Sequence, residues 1–174
     1  STTVFQTVFW AGFPVTERWQ HGYMLGYYND GEGPGMDATV YSPIVDFKFV
    51  NNTPYHLLIE NYYNEVEESL TFKFYSTSMG RSVEKEGPVF EDNVPAPPEE
   101  DDVWTFDPDM EPGTVRQIDW ATEGAKVTVG RTVYNADGDV MIHEDFVSNY
   151  VPWANGYMYG PDVSAPDYSL VPSE

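Results

Sequence analysis

Hydrophobic residues recur at helical spacing only at the start of the chain. In TTVFQTVFWA (2–11), Val4, Phe5, Val8, Phe9 and Trp10 lie close to an i, i+3/i+4 pattern. This predicts a short buried helix, with Ser1 or Thr2 as N-cap and Gly12 and Pro14 ending it. Its Val, Phe and Trp content makes a strand the competing reading. Residues 15–37 read as loop, with a turn cluster in NDGEGPG (29–35). ATVYSPIVDFKFV (38–50) holds two short strand patterns broken by Pro43, and Val45, Phe47 and Phe49 alternate with Asp46 and Lys48. YHLLIENYY (55–63) and SLTFKFYST (69–77) form a hairpin around residues 64–68. Residues 86–113 are rich in Pro and acid and aperiodic, and read as an extended linker. TVRQIDW, AKVTVGRTVYN and DVMIHEDFVSNY are strands, with Asp137–Gly138 as a hairpin turn. The sequence after residue 153 has no regular period and is expected to lie extended along another surface. The fold class is therefore mainly β (α+β), with one N-terminal helix. Its expected parts are a module at 1–85, a linker at 86–113, a β-ribbon module at 114–153 and a tail at 154–174.

Composition narrows the function. Aromatics reach 16% of 174 residues, led by 13 Tyr, which favours strands and supplies rings for a core or an interface. Asp and Glu number 29 against 8 Lys and Arg, a net charge of −21. So acidic a surface repels phosphate backbones and excludes nucleic acid as a partner. It suits a solvated extracellular surface or one that attracts cations. Nowhere do about 18 consecutive apolar residues offer a membrane-spanning helix. Cys is absent from these residues, so they hold no disulfide, thiol nucleophile or zinc–thiolate site.

The remaining chemistry is sparse. His21, His56 and His143 are the three histidines, and their spacing matches no metal motif. Calcium is the cation that NDGE (29–32), EEDD (99–102) and NADGD (135–139) have the oxygens to bind. None of them completes a twelve-residue calcium loop, and NADGD is better explained as a hairpin turn. No metal site and no cofactor are expected. Phosphate-loop, nucleophile-elbow and dinucleotide motifs are all missing.

The segment STTVFQTVFWAG, then Glu17–Arg18, His21 and GMDATVYSPIVDFKFVNNTP (35–54), resembles the VanW-like family of bacterial envelope proteins in order and spacing. That resemblance implies a Gly-rich stretch with a Cys and a Gln before the STT. It makes Glu17, Arg18, His21 and Asp37 the family-matching polar residues, with His21 and Asp37 as natural partners of the thiol. Ser1 is read as the product of processing or the remainder of a longer chain. More weakly, PGTVRQID, EGAKVTVGRTVYNADGDV and the ending Tyr150–Trp153 resemble five-glycine β domains of bacterial surface proteins, which implies cell-wall contact.

The expected function is that of a secreted, cell-surface or extracellular structural protein that is not an enzyme. It would assemble into a homo-oligomer or fibre, or attach to peptidoglycan or other glycans. Trp104, Phe106, Trp153, Tyr157 and Tyr159 are the expected assembly anchors, because segments of such composition stay ordered only against a partner surface. Two alternatives stand beside it: a fragment of a Cys-dependent wall-modifying enzyme whose nucleophile lies upstream, and a carbohydrate- or calcium-binding adhesin module.

Overall fold

The computed structural model describes residues 1–24, 26 and 33–172. It is mainly β, with one helix at the N-terminus. Helix α1 (Thr2–Ala11) ends where Gly12 turns left-handed at φ 70°, a conformation that spares glycine the cost of a Cβ. Ser1 occupies the cap position but does not cap. Its hydroxyl and that of Thr2 instead donate to the carbonyl of Ala38, which ties the helix start to residues 35–38.

Among the described residues four small sheets follow. Strand β1 (Val15–Glu17), inside the expected loop, pairs with β2 (Lys48–Phe49). The expected hairpin forms from β3 (Leu58–Asn64) and β4 (Ser69–Tyr75), in register from Leu58 opposite Tyr75 to Asn64 opposite Ser69. Strands β5 (Ser82–Val94), β8 (Gly124–Tyr134) and β9 (Val140–Tyr150) build the largest sheet in the order β5-β8-β9. The β8–β9 turn spans 135–139, where the Asn135 side chain accepts from the backbone N–H groups of Asp137 and Asp139. Strands β6 (Val103–Phe106), β7 (Val115–Asp119) and β10 (Gly156–Tyr159) form the fourth sheet, in which β10 runs parallel to β6 and antiparallel to β7.

Two expectations need correcting. The stretch 86–113 is not a linker throughout: residues up to Val94 belong to β5, and Val103–Phe106 are β6. Acid and Pro content hid strands whose hydrogen-bond partners lie far along the chain. The tail is not wholly extended along another surface either, because β10 is the central strand of the fourth sheet. In addition, the NDGE cluster at 29–32 falls outside the described residues.

The main core joins the helix to the largest sheet. Phe5 and Phe9 of α1 are fully buried with Met36, Ala38, Val129 of β8 and Phe146 of β9. Phe5 meets Phe146 edge-on at 5.2 Å between ring centroids, a geometry that adds attraction beyond area burial. Phe13, Phe49 and Phe74 extend this aromatic layer under the β3–β4 hairpin. The expected 1–85 module and the β ribbon thus share one core rather than forming separate bodies.

Candidate functional site

The polar centre lies beside the start of α1 and is built around Asp37. Arg18, just after β1, reaches it with side chains 5% and 8% exposed respectively. The Arg18 guanidinium donates from Nε to the Asp37 carbonyl at 2.7 Å, and from Nη2 to Asp37 Oδ1 at 3.2 Å and the Gly35 carbonyl at 3.0 Å. Its Nη1 donates to Ser148 Oγ at 2.8 Å, and its plane sits 5.3 Å from the centroid of the Phe5 ring. Asp37 Oδ2 accepts the backbone N–H of His21 at 2.7 Å and faces the ring Nδ1 of His21 at 2.7 Å. The Tyr150 hydroxyl donates to Asp37 Oδ1 and accepts the N–H of Gly35 at 3.1 Å.

The electrostatics follow from this geometry. Burial pushes the Asp37 carboxyl upward, but hydrogen bonds from the His21 N–H and the Tyr150 hydroxyl, together with the Arg18 charge, outweigh it. The carboxyl is held below its ordinary value of 3.8 and stays ionised. Burial lowers the pKa of Arg18 while Asp37 opposes the shift, and a guanidinium remains charged regardless. Burial and the Asp37 charge push the Tyr150 phenol up to about 12, so it remains a donor at neutral pH.

Sequence reasoning named Arg18, His21 and Asp37, and the structure brings all three together. Glu17 stands apart in an exposed ion pair with Lys48. Ser148 and Tyr150 were missed, because they lie more than 110 residues beyond Asp37. A signal was present: Phe146, Ser148 and Tyr150 share one face of β9, and a Ser on an apolar strand face needs a buried partner.

Arg131 of β8 was also missed. It is fully buried between the rings of Phe9 and Phe146, at 5.1 and 5.3 Å. It donates to the carbonyls of Val8, Phe9 and Phe13 and to Glu144. A cation from another element thereby answers the carbonyls that end α1.

The five aromatic anchors pack within the chain. Trp104 stacks on Tyr157 at 4.5 Å and meets Tyr168 edge-on, and Phe106 lies against Tyr159. Trp153 stacks on Tyr23 at 4.5 Å with an interplanar angle of 7°. His56 and His143 do not join His21: His143 faces Thr132 across the β8–β9 ladder, and His56 precedes β3. Among the described residues no group of three or more His, Asp or Glu is placed to hold a metal. No helix among them is long and apolar enough to cross a membrane.

Residues 1–75 match the VanW like protein family. No curated protein matches the chain. The VanW-like region supplies α1, Arg18, His21, Asp37 and the β3–β4 hairpin. Its buried polar centre is closed by Ser148 and Tyr150, which lie outside the matched residues.

Proposed function

We propose that this chain is a non-catalytic binding and scaffold module of a secreted or envelope protein, which associates with itself or with cell-wall glycans. The observation that supports this reading is how the matched polar residues are used. Asp37 accepts from Arg18, His21 and Tyr150, and Arg18 divides its donors among two backbone carbonyls, Asp37 and Ser148. Such bonds fasten the VanW-like region to β9. A strongly acidic surface suits a solvated extracellular setting. Ile59, Tyr63 and Leu70 share one face of the β3–β4 hairpin and remain exposed there, as apolar area for contact.

One observation favours a second, catalytic reading. The His21–Asp37 pair has the form of an oriented base, and the α1 start is tied to Ala38, next to Asp37. A thiol on a segment leading into α1 would come close to it. Incubating the chain with purified peptidoglycan and analysing soluble fragments by mass spectrometry separates the two. The scaffold reading expects no new fragments and retention of the chain on the insoluble wall. Fragments that vanish in His21→Ala would overturn it.

A further inference from the structure

The fourth sheet has an aromatic face and a hollow one. Trp104 of β6 and Tyr157 of β10 stack on the first. On the other, β10 contributes Gly156, which pairs with Val103 of β6 and Asp119 of β7. Having no side chain, Gly156 leaves a trough of about 420 Å³ that Val103, Thr105, Ile118, Asp119 and Trp153 help to wall. We propose that this trough binds a primary ammonium on an unbranched apolar stem, the chemistry of a lysine side chain.

Two carboxylates and one ring hold the charge. A Cβ built on Gly156 would lie 2.9 Å from Asp119 Oδ2, so this oxygen stands over the floor of the trough. Asp119 Oδ1 accepts the Tyr23 hydroxyl at 2.9 Å, whereas Oδ2 accepts no hydrogen bond among the described residues. The carboxylate of Asp101, an exposed residue that also lines the trough, accepts none among them either. The same Tyr23 stacks on one face of Trp153, and 39% of that residue stays open beside the trough. The Trp153 backbone exchanges hydrogen bonds of 2.9 Å with Thr122 in both directions. Acceptor and ring are therefore in place before a ligand arrives, which lowers the cost of binding. An ammonium gains from charge-assisted hydrogen bonds to the carboxylates and from the π electrons of Trp153.

Charge and polarity select the ligand. Among the described residues no Lys, Arg or His lines the trough, and Arg116 of β7 donates to Met158 Sδ at 3.6 Å instead. The net charge of −21 adds a field that draws cations. Val103, Ile118, Pro97 and Pro152 give apolar surface along which a methylene stem packs while its charged tip reaches an acid. A sugar presents a hydroxyl on most of its carbons and needs more polar partners than this. The Asn155 amide in the wall is already spent: Oδ1 accepts from Gln117 and Ala121, and Nδ2 donates to Asp102. The volume falls within the roughly 300–1,000 Å³ of ligand pockets, so a whole side chain fits.

The test is an NMR titration of the full chain, at fixed ionic strength, with Nα-acetyl-lysine N-methylamide, its Nε-acetylated form, methylammonium and diacetylchitobiose. The lysine compound should shift the Trp153 indole and Gly156 amide signals and bind about ten-fold more tightly than the other three. Asp119→Asn, which keeps an acceptor for Tyr23, should weaken it about ten-fold. Asp101→Asn, at an exposed site with no side-chain partner to lose, should weaken it too while leaving the melting temperature unchanged. No shift at Trp153 and Gly156 in the folded chain would overturn the proposal. So would equal affinity for the acetylated form or for methylammonium, tighter binding of the disaccharide, or binding untouched by both substitutions. None of these outcomes bears on the scaffold reading, which rests on the Asp37 centre.

Discussion

At the residue scale the polar centre depends on two buried charges, Arg18 and Asp37, held by many bonds. Replacing Asp37 with Asn leaves Arg18 buried without a counter-charge and turns one of the two acceptor oxygens, which serve the Tyr150 hydroxyl and the His21 N–H, into an NH2 donor. Breaking one side of a buried pair typically costs about 3–5 kcal/mol, and denaturant unfolding of Asp37→Asn should show a loss of that size. The pH dependence has a definite sign. Because the folded carboxyl titrates below 3.8, its contribution is present above that value and is lost as pH falls through the lowered one. Tyr150 works in reverse, since its folded pKa of about 12 lies above the ordinary 10.0. Its contribution is complete below 10.0 and fades as pH rises towards about 12. Alkaline unfolding followed by circular dichroism should therefore steepen over that range, and Tyr150→Phe should flatten it. The sequence announced Asp37 and Arg18 through ordered spacing. It gave no direct sign of Tyr150, because contact across 113 residues leaves no local pattern.

At the element scale, glycine positions set how closely parts approach. Gly35 has φ 93°, and a Cβ there would lie 2.8 Å from Val129 Cγ2 and 3.1 Å from Val127 Cγ1. Gly35→Ala combines left-handed strain with overpacking, so it should cost about 2–4 kcal/mol in thermal or denaturant unfolding. A change of under 1 kcal/mol would mean that the 35–38 segment shifts freely against β8. Arg131→Met tests the helix end: it strips donors from the carbonyls of Val8, Phe9 and Phe13. The expected loss is at least about 3 kcal/mol, seen first as reduced amide protection in α1. The elements themselves were largely readable, since α1, the β3–β4 hairpin and the β8–β9 hairpin each rest on local periodicity and turn residues. β6 and β10 were not. Each is four residues long and is fixed by a parallel pairing between segments about fifty residues apart, which composition cannot reveal.

At the scale of the whole molecule, a charge of −21 and a shared core set the behaviour. Self-repulsion is screened over ~30 Å at 0.01 M salt and ~8 Å at 0.15 M. The melting temperature should therefore rise between those two conditions, and indifference to salt would mean that the acids are too widely spread to repel. The expected boundary at residue 85 followed a change in composition, yet Phe5 and Phe9 pack on Val129 and Phe146 across it. The central claim is that the VanW-like region and the β8–β9 hairpin unfold as one cooperative unit. Native-state hydrogen exchange on the full chain with Val127→Ala, a fully buried β8 side chain that clusters with Ala125 and Tyr150 rather than with Phe5 and Phe9 of α1, tests it most directly. The account predicts that opening free energies of α1 and β8 amides fall by the same amount. Unchanged protection in α1 alongside weakened β8 would contradict it.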